Sequence, residues 1–287
     1  MQTKVILIAL SALGGILARP QGFNNAGPSD ANMPVQNGGS GPYTAGYSTA
    51  DALPRHTLYY PKEVPEGLTL PILIWGEGAC AADGLQFLEF LNEIASHGFF
   101  ILASGAPNGS GQTTSALMTQ AIDWALSDEA KAAHPYLETS RIAAAGQSCG
   151  GLEAYDMVGD DRVSAIGIFN SGFLDVSKSE TVTPTIRKPI FYFIGGEADI
   201  AYANAERDWV RLPADTPRWK GNLAVGHGGT YRDTNGGAFG VAGTRFLQWV
   251  LRGNATASEF FTAGEAEEAG WVVESGALDK IDVAPLE

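Results

Sequence analysis

The sequence predicts an α/β fold in which a mostly parallel central sheet is flanked by helices. Unbroken apolar runs, such as residues 70–75 and 189–194, are typical of parallel strands that are buried on both faces. Between these runs lie segments whose apolar residues recur every three or four positions, which favours amphipathic helices. Because strand and helix alternate along most of the chain, the pattern indicates parallel strands joined by helical crossovers.

The first 54 residues precede the predicted domain. Lys4 is followed by an apolar run and then by Ala18, which is typical of a secretory signal peptide spanning residues 1–18. The run is short for a membrane span, and a retained membrane anchor is the alternative. Residues 19–54 are rich in Gly, Asn, Pro and Ser, which predicts an extended N-terminal arm. We expect residues 55–287 to form a single domain, since no repeat or linker divides them.

Within this domain the predicted elements follow one another in a regular order. The apolar runs predict six strands, at residues 55–60, 70–75, 99–103, 141–145, 162–169 and 189–194. Helical spacing predicts helices over residues 85–95, over 113–133 and through 246–251, with Gly98 ending the first of them.

Composition and charge exclude several classes of function. A hydrophobic content of 45% with 17% charged residues is that of a globular protein, not a disordered chain. The net charge of −14 argues against nucleic acid or an anionic membrane as a partner. We therefore expect no nucleic-acid partner, no membrane contact once the signal is cleaved, and a monomer.

The residues Gly146–Gln147–Ser148–Cys149–Gly150 form the motif around which the chain is organised. The preceding apolar run predicts a strand and the following residues predict a helix, which places Ser148 at the apex of a sharp turn. Such a strand–turn–helix unit lifts a serine hydroxyl above the edge of a sheet, where it can act as a nucleophile. The pentapeptide alone is common, so the hypothesis depends on partners elsewhere in the chain.

A nucleophilic serine needs a general base and an acid that orients the base. In this arrangement the chain order is Ser, acid, His, and His227 is the one histidine of four that follows Ser148. The acid is expected at the end of a strand between them, and Asp199 stands just beyond the run at 189–194. Glu197 and Asp175 are the alternatives.

Two backbone N–H groups must also converge on the oxyanion that forms during acyl transfer. One is expected from Cys149, directly after the nucleophile, and the other from the glycine-rich turn over residues 75–80. The two cysteines of the chain, Cys80 and Cys149, lie in these two segments. We therefore expect a disulfide that clamps the site, and two free buried thiols are the alternative.

Two N-glycosylation sequons are compatible with a secreted protein. They begin at Asn108 and Asn254, and they are the candidate glycosylation sites.

Five short segments occur in an order and spacing that resemble a known superfamily. They are Trp75–Gly76–Glu77–Gly78, Ile94–Ala95–Ser96–His97–Gly98–Phe99, Gly146–Gln147–Ser148–Cys149–Gly150–Gly151, Gly196–Glu197–Ala198–Asp199–Ile200–Ala201 and Gly226–His227–Gly228–Gly229. Over residues 55–252 the chain is similar to secreted α/β-hydrolases near the polyester hydrolases (cutinase-type and PET-degrading enzymes) and the dienelactone hydrolases.

The resemblance implies the α/β-hydrolase fold, with Ser148 as nucleophile, Asp199 as acid and His227 as base. It also implies that the N–H groups of Glu77 and Cys149 form the oxyanion hole. The sequence departs from the family at three of these positions. Polyester hydrolases typically carry an aromatic residue where Glu77 stands and Met where Cys149 stands, and dienelactone hydrolases have a Cys nucleophile. We expect an acidic Glu77 side chain at the rim to disfavour anionic acyl groups.

These observations lead to the hypothesis of a secreted serine hydrolase of carboxylic esters that needs no cofactor and no metal. Its substrate would be a small or polymeric ester, and short segments around the site leave little or no cap domain. A peptidase, an acyltransferase and a non-catalytic binding module are the alternatives. The aromatic residues of the surrounding loops either line the cleft or pack within the loops; they are Tyr202, Trp209, Trp219 and Tyr231.

Overall fold

The computed structural model describes residues 38–286. The predicted signal peptide, residues 1–18, and residues 19–37 of the predicted arm lie outside the described residues. Within the described part, no helix combines the length and the apolar composition needed to cross a membrane.

One nine-stranded sheet forms the centre of the molecule, with the strand order β1-β2-β4-β3-β5-β6-β7-β8-β9. Strands β4, β3, β5, β6, β7 and β8 run parallel to one another, while β1, β2 and β9 pair antiparallel at the two edges. The strands are β1 (Ala45–Ser48), β2 (His56–Pro61), β3 (Leu70–Gly76), β4 (Phe100–Ser104), β5 (Leu137–Gln147), β6 (Val163–Phe169), β7 (Ile190–Ile194), β8 (Arg218–Asn222) and β9 (Val272–Gly276). The predicted α/β class with a mostly parallel sheet is thus confirmed.

Helices cover both faces of this sheet. They are α1 (Leu88–Ser96), α2 (Ser115–Ala125), α3 (Asp128–Ala133), α4 (Cys149–Asp156), α5 (Val176–Val182), α6 (Tyr202–Arg211), α7 (Gly237–Val250), α8 (Ala255–Thr262) and α9 (Glu265–Glu268). Side chains of α1, α7 and α8 share one hydrophobic core with one face of the sheet, and those of α2, α4 and α6 share a second core with the other. Strand β3 serves both cores because successive side chains alternate: Leu73 and Trp75 enter the first, Ile72 and Ile74 the second.

The unbroken apolar runs identified the inner strands well. Strands β3, β4 and β7 are buried at every residue, which is what a parallel sheet covered on both faces requires. Helix α1 ends before Gly98, which adopts a φ of 85° that favours glycine. The predicted helical stretch over residues 113–133 is divided into α2 and α3.

Regular structure begins earlier than the sequence indicated. Strand β1 lies inside the predicted N-terminal arm, where it is buried and pairs antiparallel with β2, so the expectation that strands begin at residue 55 is wrong. Its residues Ala45–Ser48 are small or polar except for one tyrosine, and they therefore carry no apolar run.

Strand β8 escaped prediction because its sequence, Arg218–Asn222, is largely polar. The Lys220 side chain is completely buried and pairs with Glu206 and Glu274, with each Nζ–oxygen distance being 2.6 Å. These two ion pairs supply the charge compensation that a buried ammonium requires.

Candidate functional site

Three glycines bring strands β3 and β5 unusually close to helix α4. A Cβ atom on Gly150 would lie 2.0 Å from the backbone oxygen of Gly76, and one on Gly146 would lie 2.3 Å from the backbone of Gly150. Neither position can hold a side chain without a shift of the backbone. The close approach sets the start of α4 directly against the ends of the two central strands.

Ser148 occupies the turn between β5 and α4 in a strained conformation. Its φ of 53° and ψ of −112° lie in a region that residues other than glycine rarely adopt. The turn is held by a hydrogen bond from the Ser148 N–H to the Phe169 oxygen at 2.9 Å, and by one from the Ser171 hydroxyl to the Ser148 oxygen at 2.6 Å. The strained turn predicted from the motif is therefore present, with Ser148 half-buried at its apex.

The side chains of Ser148, His227 and Asp199 form a continuous hydrogen-bonded chain. His227 Nε2 lies 3.0 Å from Ser148 Oγ, and His227 Nδ1 lies 2.6 Å from Asp199 Oδ1. The Asp199 side chain is completely buried, whereas 27% of the His227 side chain is exposed. Residues 79 positions apart thus meet at the C-terminal edge of the sheet.

Asp199 is held as an anion by its surroundings. Its Oδ1 accepts from the Ala201 N–H, and its Oδ2 accepts from the Gly195 N–H, each at 2.9 Å. Burial alone would raise the pKa of Asp199, but the hydrogen bonds from Ala201, Gly195, Asn170 and His227 outweigh it and hold that pKa below its usual value. The carboxylate is therefore charged and fixed opposite the histidine.

The two alternative acids lie elsewhere. Asp175 caps the N-terminus of α5 by accepting from the Ser177 N–H at 2.8 Å, and it is exposed to solvent. Glu197 is also exposed. Within residues 38–286, neither carboxylate forms a hydrogen bond with His227, so Asp199 alone of the three candidates reaches the histidine.

Asn170 extends the chain beyond Asp199, and sequence reasoning missed it. Its Nδ2 donates to Asp199 Oδ2 at 2.6 Å, and its Oδ1 accepts from the hydroxyl of the buried Tyr231. Asn170 directly follows β6 and adopts a φ of 43°, which aims its side chain along the edge of the sheet. A polar residue immediately after a buried strand was the available signal.

The disulfide between Cys80 and Cys149 is present, with Cα atoms 5.2 Å apart, so the predicted pairing is confirmed. It joins the turn after β3 to the first residue of α4. The N–H groups of Glu77 and Cys149 lie in these two segments, and neither donates a hydrogen bond to another residue in the range 38–286. Cys149 is partly exposed, whereas Glu77 is completely buried.

The expected position of the Glu77 side chain is wrong. Instead of standing at the rim, it is completely buried beside the indole of Trp75, and neither carboxyl oxygen forms a hydrogen bond of normal geometry among the described residues. Burial raises the pKa of Glu77 well above its ordinary value, and nearby Asp83 and Glu153 add to this effect. The indole N–H of Trp75 opposes this effect, but burial is the larger cause and favours the protonated, neutral form of the carboxyl group.

A cleft of about 330 Å³ adjoins the disulfide. Its lining includes Cys149, Leu152, Glu153, Phe173 and Leu174, together with the hydroxyl-bearing residues at 113–115. Of the four aromatic residues considered as cleft lining, Trp209, Trp219 and Tyr231 are buried in the two hydrophobic cores, and Tyr202 packs against one of them. Tyr202 and Trp209 lie on α6 and Trp219 lies on β8, so the expectation that they lie in loops is wrong, and none of the four residues lines this cleft.

Among the described residues, one group has the spacing of metal ligands, namely Cys80, Cys149 and Glu153. Because its two sulfur atoms are bonded to each other, they are not available as thiolate ligands in this state.

The two sequon asparagines are exposed: Asn108 lies in the turn after β4, and Asn254 caps α8 by accepting from the Ala257 N–H at 3.1 Å.

No protein-family model matches the chain, and no curated protein matches its sequence.

Proposed function

We propose that the protein is a serine hydrolase of carboxylic esters with the α/β-hydrolase fold. The observation that carries the proposal is the hydrogen-bonded chain from Ser148 through His227 to the buried Asp199, with Ser148 held at a φ of 53°. A serine in a strained strand-to-helix turn, a histidine within reach of its hydroxyl and an orienting carboxylate are the parts that nucleophilic acyl transfer requires.

In the proposed reaction, Ser148 Oγ attacks the carbonyl carbon of the ester while His227 Nε2 accepts the hydroxyl proton. Asp199 accepts a hydrogen bond from His227 Nδ1–H, which leaves Nε2 free to take the proton and stabilises the imidazolium that forms. His227 then protonates the leaving alcohol, and an acyl-enzyme remains on Ser148. Water, deprotonated by His227, releases the carboxylic acid and restores the serine.

The N–H groups of Glu77 and Cys149 are proposed to hold the oxyanion. Cys149 is the first residue of α4, where N–H groups have no partner within the helix and where the helix dipole favours negative charge. The raised pKa of the buried Glu77 side chain supports this role, because it favours the protonated form and an ionised carboxylate beside the oxyanion would oppose the role. The restriction on anionic acyl groups expected from a charged rim is accordingly not part of the proposal.

We also propose that the protein is secreted, which the signal-like residues 1–18 support. The proposed state of the secreted protein is a monomer. The same nucleophile would serve a peptidase or an acyltransferase. Cleavage of an amide bond distinguishes a peptidase, and transfer to an acceptor other than water distinguishes an acyltransferase.

The test is hydrolysis of p-nitrophenyl acetate and butyrate by the wild-type protein and by Ser148→Ala. We expect kcat to fall by about 10⁴-fold or more in the variant, because the nucleophile is lost. Ser164→Ala, which removes an exposed hydroxyl on β6, is the matched control and should retain wild-type turnover. Equal turnover in Ser148→Ala and the wild type would remove Ser148 from the mechanism. A peptide p-nitroanilide and an added alcohol acceptor report peptidase and acyltransferase activity in the same assay.

A further inference from the structure

The disulfide forms part of the wall of the cleft, and its two cysteines are only partly buried. The segments on either side of it are strained: Ala79 and Cys80 have φ values of 55° and 49°, and Ser148 has one of 53°. Residues other than glycine rarely adopt such values. The bridge is therefore accessible from the cleft and joins two turns that are held in unfavourable conformations.

Glu153 lies beside this bridge. One of its carboxyl oxygens and the two sulfur atoms all lie within 4.8 Å of one another. Cys149 and Glu153 are four residues apart on α4 and so share one face of the helix. One oxygen of Glu153 accepts from the Thr113 hydroxyl at 2.6 Å, while Oε2 is buried without a partner among the described residues. A carboxyl group fixed by Thr113 thus has one oxygen within 4.8 Å of both sulfurs.

We propose that the Cys80–Cys149 bridge is a thiol–disulfide exchange site for small thiols, with Glu153 as the proton donor to the displaced sulfur. The thiolate of a small thiol attacks Cys80 Sγ, forming a mixed disulfide and breaking the Cys80–Cys149 bond. Cys149 is the better leaving group because a thiolate at a helix N-terminus is stabilised. The carboxyl proton of Glu153 passes to Cys149 Sγ, and water re-protonates Glu153.

A second molecule of thiol completes the exchange. Its thiolate attacks the outer sulfur of the mixed disulfide, which releases the oxidised small disulfide and leaves Cys80 as a thiol after protonation by water. Two thiols are oxidised to one disulfide, and the two electrons reduce the protein bridge to two thiols. The reverse reaction, with the small disulfide as oxidant, restores the bridge.

Exchange at this bridge also controls ester hydrolysis, a consequence that depends on the proposed function. The bridge joins the two segments that carry the N–H groups of Glu77 and Cys149. When it opens, the strain at Ala79 and Cys80 can relax, and the N–H of Glu77 is no longer fixed relative to that of Cys149. Since one oxyanion donor contributes about 10²–10³ in kcat, we expect reduction to lower kcat at least tenfold.

Several charged groups surround Glu153 and decide its titration. Asp156 lies on the same helix, Glu77 approaches from the turn after β3, and Asp175 and Lys178 lie across the cleft. Burial raises the pKa of Glu153, the hydrogen bond from Thr113 opposes this, and Asp156 adds to the increase, so that the pKa is raised on balance. The carboxyl group therefore keeps its proton to a higher pH than an exposed glutamic acid, as a proton donor must.

The first experiment exposes the oxidised, folded protein to reduced glutathione without denaturant. Alkylation and mass measurement count the cysteine thiols, near-UV circular dichroism follows tertiary structure, and p-nitrophenyl acetate reports hydrolysis. We expect two thiols per chain, retained near-UV signal, at least a tenfold loss of kcat, and recovery with oxidised glutathione. Thiols that appear only in denaturant or only with loss of the near-UV signal overturn the proposal, as does a folded, reduced protein of unchanged activity. If even the oxidised protein hydrolyses no ester, the proposed function fails, while the thiol count still tests the exchange site.

The second experiment compares Glu153→Gln with Asp156→Asn. In the wild type, the rate constant of reduction per attacking thiolate should fall as pH rises through the pKa of Glu153, because the proton donor is lost. In Glu153→Gln this rate constant should be independent of pH, and it should be several-fold lower than that of the wild type on the acidic side of the wild-type decline. Asp156→Asn should keep the decline but move it to lower pH, since one neighbouring negative charge is removed. A decline that is the same in Glu153→Gln as in the wild type would overturn the role of Glu153.

Discussion

Replacement of Asp199 by asparagine should abolish most of the activity while leaving the shape of the site intact. The carboxylate lies 2.6 Å from His227 Nδ1 and has no exposed surface. At that distance and an effective dielectric constant of about 20, its attraction for the imidazolium is roughly 6 kcal/mol. Because about 1.4 kcal/mol corresponds to a factor of ten, loss of this interaction lowers kcat by about 10⁴-fold. The amide would also donate to Nδ1 and leave Nε2 carrying the hydrogen, so that His227 could not accept the serine proton.

The assay is steady-state hydrolysis of p-nitrophenyl acetate at neutral pH by Asp199→Asn, with Glu197→Gln as the matched control. Glu197 is two residues away and exposed, so its neutralisation changes the same net charge without touching His227. We expect the control to keep kcat within a factor of about two, as for a surface substitution. If Asp199→Asn retained more than a tenth of the wild-type kcat, the reasoning from the hydrogen-bonded chain would be refuted.

Two further predictions concern groups that sequence reasoning missed or misplaced. Asn170→Ala removes a hydrogen bond to the Asp199 carboxylate. Since a hydrogen bond to a charged group contributes about 1.5–3 kcal/mol, kcat should fall roughly 10–100-fold with little change in KM. An unchanged kcat would contradict the positioning role of Asn170. Glu77→Gln should be more stable than the wild type at pH 8, measured as Tm by calorimetry. The pKa of Glu77 is raised in the folded state, so Glu77 loses its proton at a lower pH in the unfolded chain than in the folded protein. The wild type is therefore destabilised as pH rises above about 4.3. The difference in Tm should shrink towards pH 4, and a difference that does not depend on pH would show that Glu77 is not buried as a neutral acid.

The sequence was sufficient for the parts of the site that have few alternatives. Only one histidine follows Ser148, which made His227 identifiable before any geometry was known. Asp199, Glu197 and Asp175 all follow predicted strands, and Asp199, the preferred candidate, is the one whose side chain reaches the histidine. The disulfide could be predicted because the fold class brings the ends of neighbouring parallel strands together.

What the sequence could not supply was the direction of side chains just beyond the strands. Glu77 follows β3 and was expected at the rim, yet its side chain turns into the interior. Asn170 follows β6 and reaches Asp199 because of its positive φ, a local conformation that no periodicity reveals. Strand β8 was missed for a related reason. The buried Lys220 on this strand is stabilised by ion pairs with Glu206 on α6 and Glu274 on β9, and neither glutamate is near Lys220 in the sequence.

The Cys80–Cys149 bond also has a consequence for the unfolded chain. It joins cysteines 69 positions apart and closes a loop that contains α1, β4, α2, α3 and β5, and its two ends follow the neighbouring strands β3 and β5. A loop of this length removes conformational entropy from the unfolded state that amounts to about 4 kcal/mol. Because the ends of β3 and β5 stay near each other even in the denatured, oxidised chain, refolding should begin with the central pairing of the sheet already favoured.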